Sequence, residues 1–260
     1  MTAGYAFTGT KAVPDQLAAL TEGFDPFTRR SLSTIGIVPG WQVLEVGAGT
    51  GTIARWIADQ LGTTGIVSAT DIDTRYIPSH RAITALHHDI VTGELPADFY
   101  DVVHARLVLM HLRQREEVVR RLLGALRPGG VLVLHEFDCT VPRAVVCGDN
   151  DQVDLFAKVV DGINCVLDDA GARLDWGSTA ARVLVRQGFT GVTVTAHAES
   201  FVGGSPWARL GAINTIQLAD RLHGCGLSAN DLYAFRMMMD DPRFCAMSYL
   251  MTCTVGRRPA

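Results

Sequence analysis

The sequence predicts an α/β fold: a Rossmann-like, doubly wound sheet of seven strands, mostly parallel with the last strand antiparallel, and with helical cap insertions. Three observations predict it. Apolar runs typical of buried strands alternate with helical patterns between residues 41 and 138. The first strand ends in a glycine-rich turn, VLEVGAGTG at 43–51. The run VLVLHEF at 131–137 shows no alternation, as expected for a strand that is covered on both faces.

The first half of the chain contains five predicted strands. After the first strand, Ile53, Ile57 and Leu61 lie at a spacing of four, which indicates one face of a helix. The run VLMHLRQREEVVRRLLGAL at 108–126 predicts a second helix, which RPGG ends. In chain order the strands are QVLEVG at 42–47, TGIVSATD at 64–71, ITALHHDI at 83–90, YDVVHAR at 100–106 and VLVLHEF at 131–137.

The pattern changes on either side of this alternating region. Before it, PDQLAALTEGFDPFTRRSLSTIGI predicts one or two helices. After residue 138, the runs NDQVDLFAKVVDGINCVLDDAG and ARVLVRQGF predict helices, and VTVTAHAESF predicts a sixth strand. Two more helices, in SPWARLGAINTIQLADRL and SANDLYAFRMMMDD, precede the last strand, SYLMTCTVGRR. We expect these late helices to cap the sheet.

Composition narrows the class of protein. A hydrophobic share of 48% with 19% charged residues describes a packed globular chain of 260 residues. A net charge of −4 without a basic stripe disfavours nucleic acid as a partner, and the RR pairs read as solvated surface. We find no signal peptide, no apolar run of the ~20 residues that a membrane span needs, and no cysteine spacing suited to zinc. We therefore expect a cytoplasmic protein with free thiols, no metal and no membrane contact.

The glycine-rich turn indicates the kind of ligand. Gly47, Gly49 and Gly51 lack a Cβ, so a ligand can lie against the main chain, and the following helix offers unpaired N–H groups. A nicotinamide-binding fingerprint, G-x-G-x-x-G/A, needs a small residue where this chain has Thr52. Glu45, two residues before the first glycine, would repel a pyrophosphate. The turn therefore favours a cationic or amino-bearing ligand.

Four ordered motifs together resemble the class I S-adenosylmethionine-dependent methyltransferases. They are VLEVGAGTG with Asp71 twenty residues beyond its last glycine, HHDI at 87–90, YDVVHARLVLMHL at 100–112, and LRPGGVLVLHEFD at 126–138. The resemblance covers about residues 35–138 and the last two strands. LTEGFDPFTRRSL and GGSPWARL look like the actinobacterial small-molecule methyltransferases of secondary metabolism.

The resemblance implies S-adenosyl-L-methionine as cofactor and S-adenosyl-L-homocysteine as product. It implies that the glycines receive the methionine part, that Asp71 accepts from the ribose hydroxyls, and that Asp89 accepts from the adenine amino group. The full implied set is Glu45, Gly47, Gly49, Gly51, Asp71, Ile72, Asp89, Ile90, Ala105 and Arg106. It also implies one domain over 1–260, with an N-terminal helical lid at 1–40, a cofactor-binding half at 41–138 and a substrate-side half at 139–260.

Methyl transfer depends mainly on alignment, but a general base helps if the acceptor must lose a proton. His111 after the fourth strand and Glu136 at the end of the fifth are the candidate catalytic residues. Strand alternation lets only one of His135 and Glu136 face the pocket, and we favour Glu136. His111 could equally pack or cap, and Arg106 could serve as a structural ion-pair partner.

The acceptor is expected to be a natural-product-like small molecule, with O-methylation slightly favoured over N- or C-methylation. ARLV at 105–108 replaces the polar-Pro-Pro-aromatic turn of base-modifying enzymes, and GDND at 148–151 is a poor metal cluster. Tyr5, Phe7, Trp207, Tyr233 and Met237–Met239 could line the acceptor site.

Three alternatives stay open at this point. The bound sulfonium could serve only as a charge for cyclisation or decarboxylation, the chain could be a NAD-type oxidoreductase, or it could be a regulatory binding module. The sequence does not identify the acceptor, and it does not decide whether the protein forms a homodimer.

Overall fold

The computed structural model describes residues 7 and 12–260, and its centre is a seven-stranded sheet. The strand order is β3-β2-β1-β4-β5-β10-β7, and β10 runs in the direction opposite to the other six strands of this sheet. This confirms the predicted doubly wound sheet with its last strand antiparallel. The strands are β1 (Gln42–Val46), β2 (Ile66–Asp71), β3 (Ile83–His87), β4 (Tyr100–Arg106), β5 (Leu126–Asp138), β6 (Val145–Cys147), β7 (Thr190–His197), β8 (Ser200–Val202), β9 (Cys245–Met247) and β10 (Leu250–Arg257).

Helices cover the sheet and bury its apolar residues. In the helix after β1, Ile53 and Ile57 are buried together with the following Leu61, as their spacing predicts. The longest cap helix begins with a reciprocal capping box between Asp149 and Gln152, so GDND starts a helix. The helices are α1 (Val13–Ser33), α2 (Thr52–Gln60), α3 (Arg115–Ala125), α4 (Asn150–Asp169), α5 (Trp176–Arg186), α6 (Pro206–Gln217), α7 (Ala219–Gly224) and α8 (Ala229–Asp240).

A second, three-stranded sheet lies on the substrate side, in the order β6-β9-β8. Its strands are antiparallel and only three residues long. Strands this short carry no readable alternation, so the sequence did not predict the sheet.

The predicted helix over 108–126 is wrong at its start. A 3₁₀ turn, Leu109–His111, follows β4, and α3 begins only at Arg115. The backbone N–H of Leu109 donates to the carboxyl of Glu136 at 2.8 Å, and the carbonyl of Met110 accepts from the backbone N–H of Arg173 at 2.8 Å. Because these groups are engaged by other elements, the turn does not continue into an α-helix.

The expectation of free thiols is wrong for one pair of cysteines. Cys165 on α4 and Cys225 at the end of α7 form a disulfide, with their Cα atoms 6.5 Å apart. Their separation of 60 residues hides this proximity in the sequence. Asp169 lies beside the pair; Cys139 and Cys253 are buried free thiols, as expected. Within residues 12–260, no helix combines the length and apolar character that crossing a bilayer requires.

Candidate functional site

A cavity of about 970 Å³ opens where β1, β2 and β4 end. The chain order reverses between β1 and β4, which is where ligands bind in open α/β sheets. Helix α1 lies across this opening: Leu17 on α1 approaches Gly49, and the Thr21 hydroxyl is 3.1 Å from that of Thr50. The lid that the sequence predicts at 1–40 therefore contains one helix among the described residues, and that helix covers the glycine turn.

The glycine turn has the open backbone that the sequence predicts. Gly47, Gly49 and Gly51 have φ values of 67°, 54° and 70°, a region that side-chain-bearing residues rarely adopt. Gly47 and Gly49 line the cavity. Gly51 does not; it starts α2, and a Cβ there would lie 2.6 Å from Cδ of Pro78. Gly51 therefore serves close packing, while the other two glycines present backbone to a ligand.

Asp71 ties the glycine turn to the end of β2. Its Oδ2 accepts the backbone N–H of Gly49 at 2.8 Å, and its Oδ1 accepts that of Asp73 at 2.9 Å. Asp71 lines the cavity beside Ile72, which is 41% exposed and presents an apolar surface. A carboxylate oxygen can accept more than one hydrogen bond, so Asp71 can still receive hydroxyl donors. Asp73 is held by Arg75, whose hydrogen bonds lower the pKa of that carboxyl to about 2.

The segment after β3 forms a second wall of the same part of the cavity. Asp89 and Ile90 line it, and Asp89 accepts the backbone N–H of Val91 at 2.8 Å. Arg121 on α3 donates to the carbonyls of Ile90 and Val91 at 2.8 and 2.6 Å and also bonds Gly93. The RR pair at 120–121 predicts a solvated surface, so this contact of Arg121 is not predicted from the sequence. Arg121 lies between Val118 and Leu122, which are both buried, and this position indicates that its side chain also faces the protein.

Glu45 lies elsewhere than the sequence analysis expected. Its side chain is 3% exposed and does not line the cavity, because its Oε2 lies 2.6 Å from Nδ1 of His104 on the neighbouring strand. The Nε2 of His104 lies 3.0 Å from Nδ1 of His135. Burial raises the pKa of Glu45, lowers that of His135 and lowers that of His104 to about 3. Ala105 is also fully buried and outside the cavity.

Arg106 reaches the lid helix. Its guanidinium donates to Asp25 at 2.9 Å and to the hydroxyl of Thr28 at 3.1 Å, both on α1. Asp25 also pairs with Arg29 at 3.0 Å. The structure therefore supports the alternative reading of Arg106 as an ion-pair partner that fastens α1 across the end of β4, although Arg106 also borders the cavity.

The two candidate bases occupy different environments. His111 lines the cavity, and burial together with the positive charge of Arg115 lowers its pKa to about 4, so it is neutral at pH 7. Glu136 is 1% exposed and does not line the cavity; burial raises its pKa to about 8. The expectation that Glu136 faces the pocket is wrong, because its carboxyl turns under the backbone of Val108–Met110 and holds the turn that carries His111.

The remaining part of the cavity is mostly apolar. The sequence analysis missed Tyr249, which stacks on Phe137 with ring centroids 4.8 Å apart. Phe7 lines the cavity as expected, whereas Trp207 packs in the core against Phe24, and Tyr233 is 61% exposed. The Met237–Met239 run does not line the cavity, and Tyr5 lies outside the described residues. The described side chains of this apolar part are Phe7, Val13, Leu17, Leu20, Met110, Leu112, Phe137, Cys139, Ile163, Leu167, Leu210 and Tyr249.

Comparison with known proteins agrees with this geometry. Residues 44–132 match the family described as Methyltransferase domain. The ubiquinone/menaquinone biosynthesis C-methyltransferase UbiE of Laribacter hongkongensis is 29% identical over 115 residues, which are 41% of this chain and 47% of the relative. Methyltransferase str3 of Strobilurus tenacellus is 28% identical over 136 residues, 52% of this chain and 49% of the relative. The chain spans about half the length of the curated relatives it matches.

A solved structure shares the fold over the whole chain. Phosphoethanolamine N-methyltransferase 2 of Haemonchus contortus, in complex with phosphomonomethylethanolamine and S-adenosylhomocysteine, is 14% identical with a TM-score of 0.61. The alignment covers 100% of this chain and 61% of that chain. The family match places a methyltransferase domain at residues 44–132, and the glycine turn and the strand order lie within or around the matched segment.

Proposed function

We propose that this chain transfers a methyl group from S-adenosylmethionine to an oxygen atom of a small, largely apolar, natural-product-like acceptor. One observation carries the proposal: a single cavity joins a bare glycine turn and three carboxylates to a set of apolar side chains. A cavity of about 970 Å³ is at the upper end of the ~300–1,000 Å³ that small-molecule sites occupy, so a cofactor and an acceptor fit together.

The residues around the glycine turn and the carboxylates suit the separate parts of this cofactor. The backbone at Gly47 and Gly49 would receive the methionine part, because both glycines line the cavity and their positive φ excludes most side chains. Asp71 would accept the ribose hydroxyls, as charge-assisted hydrogen bonds are the stronger kind. Asp89 and Ile90 would bind the adenine edge, with Ile72 packing on the ring.

When bound, S-adenosylmethionine supplies a methyl group activated by a sulfonium. The protein's part is to hold the acceptor in line and keep water out, and alignment of this kind is worth about 7–11 kcal/mol. Helix α1 lines the cavity, and the stacked rings of Phe137 and Tyr249 line it as well. His111 also lines the cavity, and its ring is neutral at pH 7 because its pKa is lowered to about 4. So weak a base can orient a hydroxyl through a hydrogen bond but is a poor proton acceptor, and the acceptor hydroxyl should therefore be an acidic one, such as a phenol.

C-methylation is the second candidate reaction, because the Laribacter relative is named a C-methyltransferase. The same cavity and cofactor residues would serve it. The two reactions differ only in the acceptor atom, so the product distinguishes them.

Calorimetry with S-adenosylhomocysteine and with NAD tests the cofactor, and mass spectrometry tests the reaction. We expect binding of S-adenosylhomocysteine, no binding of NAD, and a product 14 mass units heavier than the acceptor. A panel of phenolic and enolic natural products supplies the acceptor. Products of unchanged mass that form only in the presence of S-adenosylmethionine would point to a non-methylating use of the cofactor, and binding of NAD alone would refute the proposal.

A further inference from the structure

Two amide side chains meet in the apolar part of the cavity. Gln16 comes from α1 and Asn214 from α6, and both line the cavity although their residues are only 4% and 7% exposed. The Nε2 of Gln16 donates to Oδ1 of Asn214 at 3.0 Å. The pair therefore joins the lid helix to a cap helix inside the cavity.

Each amide keeps one polar atom for another partner. Among the described residues, no hydrogen bond uses Oε1 of Gln16 or Nδ2 of Asn214. Neither atom belongs to the unpaired polar atoms that are sealed from solvent, and both residues line the cavity. Gln217, on the same helix as Asn214, shows the contrast, because both of its amide atoms are sealed and unpaired.

The polarity of these two atoms does not depend on how the amides are oriented. If both amide groups are rotated by 180°, the donor and the acceptor exchange places, and the pair still presents one of each. A ligand that meets the pair therefore meets one acceptor and one N–H donor, each from one of the two bonded amides.

The surroundings make this pair selective. Apolar side chains also line the cavity: Leu17, Leu20, Ile163 and Leu210. When a ligand displaces water there, these side chains offer its polar groups no hydrogen-bond partner, so such partners are few. The acidic lining residues are Asp71, the last residue of β2, and Asp73 and Asp89, which follow β2 and β3. A site built to hydrogen-bond a group discriminates strongly against analogues that leave its buried polar atoms unpaired.

We propose that the Gln16–Asn214 pair is a specificity site for an uncharged acceptor with a carboxamide-type edge, that is, an amide, lactam or imide that offers a donor and an acceptor side by side. That the molecule bound here is the methyl acceptor rests on the proposed function. A carboxylate has only acceptors and would face the acceptor of the pair, and a ketone would leave that acceptor without a donor.

Three isosteric probes test the pairing directly: 2-naphthamide, 2-acetonaphthone and 2-naphthoate. Their affinities are measured by calorimetry with and without saturating S-adenosylhomocysteine. We expect 2-naphthamide to bind about tenfold more tightly than 2-acetonaphthone, and 2-naphthoate to bind most weakly. Equal affinities, tightest binding of the carboxylate, or no binding of 2-naphthamide at millimolar concentration would overturn the proposal.

The double variant Gln16→Met and Asn214→Leu keeps the side-chain size and removes the polar atoms. We expect the preference for 2-naphthamide to fall to about one while the affinity for S-adenosylhomocysteine stays unchanged. Gln217→Met is the matched control and should keep the preference. If the double variant loses S-adenosylhomocysteine affinity instead, the pair belongs to the cofactor site and the proposal fails.

The probe series on the native protein decides the matter even if the double variant fails to fold. Circular dichroism checks the fold of each variant. Failure of the native protein to bind S-adenosylhomocysteine would refute the proposed function, whereas the naphthyl series without cofactor would still report on the pair.

Discussion

The buried carboxyl of Glu136 gives the protein a pH-dependent stability that one substitution should remove. Its pKa is about 8 in the folded state, against 4.5 for an ordinary glutamate, because burial disfavours the charged form. Between pH 4.5 and pH 8 the unfolded chain therefore releases this proton while the folded chain keeps it. Stability falls as pH rises wherever the folded state binds more protons.

The magnitude follows from the size of the shift. Each pH unit within this window lowers the free energy of unfolding by about 1.4 kcal/mol through this group, so two units cost about 2.7 kcal/mol. Glu136→Gln keeps the acceptor for the backbone N–H of Leu109, which lies 2.8 Å from the carboxyl, and cannot titrate. We therefore expect this variant to gain about 2–3 kcal/mol over the native protein between pH 5 and pH 7.

Urea unfolding of both proteins at pH 5, 6 and 7 measures this difference. Glu136→Ala is the complementary variant: it leaves the buried N–H of Leu109 unpaired and should be about 1–3 kcal/mol less stable than Glu136→Gln. It should also lower turnover, since the carboxyl holds the turn that carries His111. Stability curves of the native and Gln proteins that stay parallel across this pH range would refute the reasoning.

Three further substitutions test the cofactor and acceptor ends. Asp71→Ala should weaken S-adenosylmethionine binding at least tenfold in calorimetry, and an unchanged affinity would remove Asp71 from the ribose role. His111→Ala should lower turnover at least tenfold with little change in cofactor affinity; retained turnover would mean that alignment suffices. Arg121→Met should weaken cofactor binding about three- to tenfold by releasing the segment after β3, whereas Arg120→Met, which breaks only an exposed pair with Glu117, should not; equal effects would contradict this assignment.

The sequence predicts the fold well because each strand of the large sheet carries its own apolar run. Such local patterns do not predict features that depend on contacts between residues far apart in the sequence. The helix expected from residue 108 starts late because the carbonyl of Met110 accepts from the backbone N–H of Arg173, far along the chain, and because Leu112 is extended. The disulfide between Cys165 and Cys225 depends on the packing of two cap helices, which no spacing reveals.

Some residues of the candidate site can likewise be predicted from the sequence, and others cannot. Gly47, Gly49, Asp71 and Asp89 line the cavity as their motifs indicate, because strand ends in a parallel sheet meet at one edge. Glu45 does not line the cavity, because its side chain contacts His104 on the neighbouring strand. The sequence does not reveal that these two residues are neighbours.

Side chains from separate helices are the hardest to predict. Arg121 and the Gln16–Asn214 pair reach the cavity from α3, α1 and α6, and no short motif connects them. The acceptor end of the cavity is built mainly from such residues, so the sequence alone leaves the acceptor undefined.

A crystal structure of the protein with S-adenosylhomocysteine tests the central claim most directly. The account predicts the homocysteine part against the backbone of Gly47 and Gly49, the ribose hydroxyls within hydrogen-bond distance of Asp71, and the sulfur facing the apolar part of the cavity. A cavity that stays empty under saturating S-adenosylhomocysteine, or a nucleoside bound away from Asp71, would contradict it.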